Sequence, residues 1–252
     1  MKYLQIGFLM FMLSWVHAET ATVAVASNFS IPMKKIAQAF EGDTGHQLRL
    51  IFGSSGKFYA QIRQGAPFDV FMSADQSKPV ALENDGFIIK NSRQTYALGR
   101  LVLWSSGTRT VTADSLRNDK NITKLSIANP RVAPYGQAAI EVLKALQLES
   151  IYQNNLVRGE NIAQAYQFVQ LGSAPLGLVA LSQVIATGQN SASYWLVPKH
   201  YHEPIRQDMV LLKSAKNNKA ALAFQAYLKH ESARKIIQSY GYELPQTEGK
   251  GF

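Results

Sequence analysis

From Thr20 onward, short apolar runs rich in β-branched residues alternate with segments whose apolar positions recur three and four residues apart, the period switch of successive βα units. A strand from Thr20 to Ala26 precedes a helix opening near Pro32, which a first helical turn tolerates, with Ile31, Met33, Ile36, Ala37 and Phe40 on one face. Gly42 to Gly45 ends it. Strand Gln47 to Phe52 feeds helix Gly56 to Gln64, and strand Phe68 to Met72 leads through Ser73-Ala74-Asp75 into a short helix reaching Leu82. These three strands read as buried and parallel. An apolar strand Ala97 to Trp104 with no helix before it marks a first crossing into a second lobe. There the pattern gives strand Leu125 to Ala128, helix Tyr135 to Leu146, strand Asn155 to Val157, helix Ile162 to Leu171, strand Leu178 to Ala180 and a closing Tyr194 to Val197. Strand Asp208 to Leu212 returns to the first lobe, which helices Lys219 to Lys229 and Glu231 to Tyr240 complete.

The expected fold class is α/β: two βα lobes with mixed, mainly parallel sheets joined by a two-crossover hinge. The expected division is residues 19–98 and 207–252 in the first lobe and 99–206 in the second. Ligands of open α/β sheets bind beyond the carboxyl ends of the strands, and a gap between lobes is a favoured pocket. Two corners stand at such positions. Val23-Ala24-Val25-Ala26-Ser27-Asn28 and Leu48-Arg49-Leu50-Ile51-Phe52-Gly53-Ser54-Ser55-Gly56-Lys57 each run from an apolar strand into Ser among small residues, with a helix following. The first N–H groups of a helix have no intrahelical partner and carry partial positive charge, so they attract an anion, and a Ser hydroxyl adds a donor. Ser is also a common N-cap that merely closes its own helix. Two such corners in succession favour a ligand, with Ser27 and Ser55 facing Tyr135 and Ile162 across the cleft.

Composition changes the picture at three points. Lys2, the apolar stretch Leu4 to Trp15 and Val16-His17-Ala18 before Glu19 read as a secretory leader cleaved after Ala18; the apolar run is shorter than the ~20 residues a membrane span needs. With no Cys among 252 residues, disulfides, thiolate metal sites, thiol nucleophiles and a lipid anchor are all excluded. A chain large enough to hold itself by its core alone then suits the Gram-negative periplasm. The formal charge of +9 becomes +8 once the leader and its one cation, Lys2, are subtracted. The remaining cations are scattered singly among acids, which argues against nucleic-acid binding and for a weak attraction of anions.

Other chemistries fit less well. A Ser-His-Asp hydrolase could use Ser55, but Gly53-Ser54-Ser55-Gly56 does not match a G-x-S-x-G elbow, and only His46, His200, His202 and His230 follow the leader. Gly53 to Lys57 falls short of a nucleotide-binding P-loop, since Phe58 follows the Lys. His200-Tyr201-His202-Glu203 lacks further metal ligands and reads as an exposed linker, Asp69 and Asp75 as turn and cap residues, and Phe40, Phe52, Phe71 and Phe168 as core.

The chain resembles the periplasmic molybdate-binding proteins that feed ABC transporters, the ModA family of type II solute-binding proteins. The likeness is carried by Val25-Ala26-Ser27, Phe52-Gly53-Ser54-Ser55-Gly56, Gly65-Ala66-Pro67-Phe68-Asp69-Val70-Phe71-Met72-Ser73-Ala74-Asp75, Ala133-Pro134-Tyr135-Gly136 and Ala174-Pro175-Leu176-Gly177. What the resemblance implies is a tetrahedral oxyanion, molybdate or tungstate, bound without any cation. Ser27 and Ser55 would give hydroxyl and backbone donors, and Tyr135 and Ile162 backbone N–H groups. It also implies a non-enzymatic protein without a cofactor, expected as a monomer, delivering its ligand to a membrane permease. Sulfate or chromate is the alternative ligand. Where the family places a Tyr hydroxyl after the Ala-Pro-Leu-Gly strand, this chain has Ala180. Either Lys57 or the Tyr135 hydroxyl replaces that donor, or the anion has one contact fewer.

Overall fold

The fold is that of a computed structural model, which describes residues 18–117, 124–188 and 191–246. The expected leader, residues 1–18, lies outside the described residues except for Ala18. The first lobe opens with β1 (Thr20–Ala26), whose residues from Ala21 onward are all buried. That continuous burial follows from its central place in the sheet, paired in parallel with β2 (Gln47–Gly53) on one side and β3 (Val70–Met72) on the other. Between them run α1 (Ser30–Thr44), reached through a tight turn at Ser27–Phe29, then α2 (Ser55–Arg63) and α3 (Ser77–Asn84). Next come β4 (Gln94–Gly99) and, after the single residue Arg100, β5 (Leu101–Trp104) in the other sheet. The expected strand Ala97 to Trp104 is therefore two strands. The chain changes sheets at Gly99-Arg100, and β4 begins earlier, on the half-polar Gln94-Thr95-Tyr96 that an apolar-run reading passes over.

The second lobe holds β6 (Leu125–Ala128), α4 (Pro134–Ala145), the single turn α5 (Glu149–Tyr152), β7 (Leu156–Gly159), α6 (Ile162–Gln170), β8 (Leu176–Ala180), α7 (Leu181–Ile185) and β9 (Tyr194–Leu196). The chain then crosses back into β10 (Ile205–Leu211), followed by α8 (Lys219–Tyr227) and α9 (Glu231–Ser239). The short α5 and α7 lie below the length at which apolar periodicity can be read from sequence.

The sheets run β2-β1-β3-β10-β4 and β7-β6-β8-β5-β9. Both are mixed, with parallel and antiparallel ladders equal in number rather than the parallel ones in the majority. Every antiparallel ladder involves β5 or β10, the strands that follow a crossing. A strand arriving from the other lobe enters at the hinge end and runs against its neighbours.

Each lobe buries its own core. In the first, Val23, Val25, Met33, Phe40, Met72, Met209 and Phe224 cluster; in the second, Leu101, Leu103, Ile127, Val142, Leu143 and Leu178. Phe40 and Phe71 are core as expected, while Phe52 and Phe168 are partly exposed. Ala26 and Ala74 of the first lobe belong to the same apolar cluster as Ala133, Tyr135, Ile162 and Ala180 of the second. The lobes are thus in contact along the cleft.

Candidate functional site

At the carboxyl ends of β1 and β2, facing the amino-terminal ends of α4 and α6, is a narrow cavity of about 10 Å³. Ala26, Ser27, Asn28, Gly53, Ser54, Ser55 and Ala74 line it from the first lobe, and Ala133, Pro134, Tyr135, Asn161 and Ile162 from the second. Ser27, Ser55, Tyr135 and Ile162 are brought together here, all at most 4% exposed. No charged residue is among the lining.

The two serines play different parts in their local structure. At the second corner Ser54 is the N-cap of α2, accepting from the Lys57 N–H at 3.4 Å, so Ser55 is not needed as a cap. Ser55 Oγ instead accepts the Ala74 N–H at 2.9 Å. That bond occupies a lone pair and leaves the hydroxyl proton free to donate into the cavity. Ser27 opens the turn before α1, and its Oγ donates to Asn161 Oδ1 at 3.1 Å across the cleft. A hydroxyl has one proton, so an anion accepting from Ser27 takes it from Asn161.

The second lobe contributes backbone. Pro134 is the first residue of α4 and has no N–H, so the N–H of Tyr135 leads that helix. Ile162 is the first residue of α6, whose N-cap Asn161 accepts from Ala163 and Gln164 at 2.9 and 3.1 Å and leaves the Ile162 N–H unclaimed by the cap. The first turns of α1, α2, α4 and α6 contain no acidic residue. Their partial positive charge is therefore not neutralised from within, whereas an Asp or Glu there would be the usual stabilising choice. Asn161 Oδ1 is already engaged by three donors, and Ser54 Oγ accepts from Lys57.

Neither Lys57 nor Ala180 lines the cavity. Lys57 Nζ reaches over to Glu160 in the second lobe at 2.7 Å, both side chains being exposed. Ala180 caps α7, its N–H donating to Gln183 Oε1 at 3.1 Å, and its methyl sits in the apolar cluster. The Tyr135 hydroxyl points away from the cavity to Gln207, whose Nε2 donates to it at 3.4 Å. Burial pushes that phenol well above its ordinary pKa, with Tyr242 and Tyr96 adding to the effect, so it stays neutral.

The remaining residues singled out in the sequence are structural. Asp69 Oδ2 accepts the Thr22 N–H at 2.7 Å, and Asp75 accepts from Ser73 and pairs with Lys78. His202 is buried, with Nδ1 2.7 Å from the Glu203 carbonyl, rather than part of an exposed linker. Among the described residues no group of three His, Cys, Asp or Glu is placed to hold a metal. The sequence reading missed Asn28 and Asn161. Asn161 had a signal, since Gly-Glu-Asn directly before an apolar helical run is an N-cap pattern. Asn28 had none beyond adjacency to Ser27.

Two βα lobes joined by two crossings, with a donor-lined cavity between them, define a solute-binding protein of the two-lobed class. Residues 21–243 match the family of bacterial extracellular solute-binding proteins. The molybdate-binding protein ModA of Azotobacter vinelandii is 50% identical over 229 residues, covering 90% of this chain and 91% of the relative. ModA of Rhodobacter capsulatus is 45% identical, covering 87% and 86%. The solved periplasmic molybdate-binding protein of Azotobacter vinelandii superposes with a TM-score of 0.85 at 39% identity, over 90% of this chain and all of that one (100%). The chain belongs to the ModA family of solute-binding proteins. Among the described residues no helix is long and apolar enough to cross a membrane.

Proposed function

We propose that this protein captures molybdate, and tungstate alongside it, as a fully deprotonated tetrahedral dianion between its lobes and hands it to the membrane permease of an ABC transporter. It works in the periplasm after loss of residues 1–18, as a monomer, with no cofactor and no reaction catalysed. The observation that carries this reading is a small cavity between the lobes lined by uncharged groups, among them the first residues of α2, α4 and α6. The names of its relatives in Azotobacter and Rhodobacter support it.

A dianion leaving water loses hydration worth many kcal/mol, which donors must replace. Hydrogen bonds to a charged acceptor contribute about 1.5–3 kcal/mol each net, so a handful reach micromolar affinity, about 8 kcal/mol, after the cost of association. Hydrogen phosphate carries a proton that requires an acceptor, the lining holds no carboxylate, and Asn161 Oδ1 is already engaged by three donors, so phosphate is disfavoured by mismatch. Sulfate has the right charge but is smaller, and a rigid cage made for a larger ion lengthens several of its bonds together. The ligand favours the lobe arrangement in which donors from both sides reach it, and the permease reads that closed form.

Titration calorimetry of the mature chain with molybdate, tungstate, sulfate, chromate and phosphate tests the reading. The expected result is tight binding of the first two and none of phosphate. Preference for sulfate or chromate would change the ligand, and binding of none would remove the proposal.

A further inference from the structure

On the hinge side of the cavity is a buried polar cluster through which the lobes also meet. The second lobe contributes two hydroxyls, Tyr135 and Ser182; the first contributes Asn28, Tyr96, Gln207 and Tyr242, and none of the six is more than 4% exposed. Asn28 is its centre. Asn28 Nδ2 donates to Gln207 Oε1 at 2.8 Å and to the Tyr242 hydroxyl at 3.0 Å. The Asn28 backbone carbonyl accepts from Ser182 at 2.9 Å and from Tyr242 at 2.8 Å. Tyr96 donates to Gln207 Oε1 at 2.9 Å, and Gln207 Nε2 donates to the Tyr135 hydroxyl at 3.4 Å, with Tyr242 a further partner of that hydroxyl.

The same two residues that begin this cluster also border the anion site. Asn28 follows Ser27 directly and both line the cavity, and Tyr135 also lines it while its hydroxyl reaches Gly99 at the hinge. The hydroxyl is seated on β4: a Cβ on Gly99 would be 2.1 Å from Tyr135 Oη and 2.7 Å from Gln207 Nε2. The oxygen thus fills the space where any other residue would have a side chain. Gly99 is the last residue of β4, next to the crossing at Arg100, so the contact is made where the lobes pivot.

These contacts limit hinge rotation in both directions. Closing further drives the Tyr135 hydroxyl into the β4 backbone, which close-packed interiors resist. Opening slightly pulls both second-lobe hydroxyls off buried partners that have no water to turn to, and a partly satisfied buried network is costly. We propose that the Tyr135 hydroxyl, seated on Gly99 and Gln207, is a hinge stop that fixes the width of the closed cage and so determines which tetrahedral oxyanion fits it. Tyr135 acts in this as a positioning residue through its side chain, separately from its N–H. The inference rests on the oxyanion reading above and adds to it where size selectivity comes from.

The test is Tyr135→Phe, which keeps the N–H and the ring and removes only the hydroxyl, with Ser182→Ala as an independent second variant of the same cluster. Molybdate and sulfate affinities are measured by calorimetry for wild type and both variants, with thermal melts to establish folding. The expected result for Tyr135→Phe is molybdate binding weakened about tenfold with sulfate changed less, so that the molybdate-to-sulfate ratio narrows at least about fivefold. Ser182→Ala should move the ratio the same way by a smaller factor, and decides the matter if Tyr135→Phe does not fold. A purely structural role would weaken both anions equally; an unchanged ratio therefore overturns the hinge stop, whether or not affinity falls. Wild type binding neither anion would instead remove the oxyanion reading and this inference with it.

Discussion

The Gly56 N–H donates to the Val132 carbonyl at 2.9 Å across the cleft, so a helix-start donor of the first lobe is satisfied by the backbone of the second. The contact is as close as it can be. A Cβ on Gly56 would lie 2.8 Å from Val132 Cα and 2.9 Å from its carbonyl oxygen, and neither atom can move aside as a side-chain tip could. Gly56→Ala should leave the first lobe folded, because Ala suits a helix better than Gly, but should hold the lobes apart. Molybdate affinity falls about tenfold or more while the melting temperature of the unliganded protein is unchanged or higher; calorimetry and a thermal melt check the pair.

Ser27 and Ser55 should separate in stability. Each substitution by Ala removes one donor to a charged ligand and weakens binding by about 1–3 kcal/mol. Ser55→Ala also strands the buried Ala74 N–H, whose partner is Ser55 Oγ at 2.9 Å, so the unliganded protein should melt lower. Ser27→Ala leaves Asn161 Oδ1 with its two helix donors and should melt as wild type does. Melts without ligand, beside titrations with it, show whether the assignment holds.

Much of this site was legible because its parts are local. A strand ending in Ser and a helix starting with Ala-Pro or Asn are short-range patterns, and they place Ser27, Ser55, Tyr135 and Ile162 at element ends before any fold is known. What escaped notice depends on the meeting of distant segments. Whether Ser54 or Ser55 caps α2 is undecidable from Gly-Ser-Ser-Gly alone; the Ala74 N–H, contributed by a different corner, engages Ser55. Asn28 and Gln207 are 179 positions apart and form a bond that no periodicity encodes. The break at Gly99-Arg100 was hidden because both flanking strands are apolar, so the run reads as continuous although its halves serve different sheets.

The Lys57–Glu160 pair spans the cleft near the cavity, 2.7 Å apart and exposed. Exposed pairs add little stability, so its effect should be kinetic. When the lobes separate, Lys57 is released to attract an incoming dianion, and Glu160 repels it. Lys57→Met should slow association about two- to fivefold and flatten its salt dependence, and Glu160→Gln should speed it. Stopped-flow binding at low and high ionic strength gives both numbers; rates indifferent to Lys57 would assign the pair no part in capture.

Alkaline pH should destabilise the protein through the hinge cluster. Burial raises the Tyr242 phenol from 10.0 to about 12, and Tyr96 and Tyr135 are pushed well above 10.0 by burial too. Each stays protonated longer folded than unfolded. Their contribution is fully present below pH 10.0 and is lost as pH rises from there through about 12 for Tyr242, because the unfolded chain releases those protons first. Melting temperature followed from pH 8 upward should therefore be level and then fall beyond about pH 10, and Tyr242→Phe should make the fall shallower.

A crystal structure of the mature chain grown with molybdate tests the central claim most directly. The account places the metal centre of the anion between the lobes, its oxygens within hydrogen-bond distance of the Ser27 and Ser55 hydroxyls and of the Tyr135 and Ile162 N–H groups, with no Lys or Arg in contact. An anion found elsewhere, or one held chiefly by cationic side chains, would contradict it.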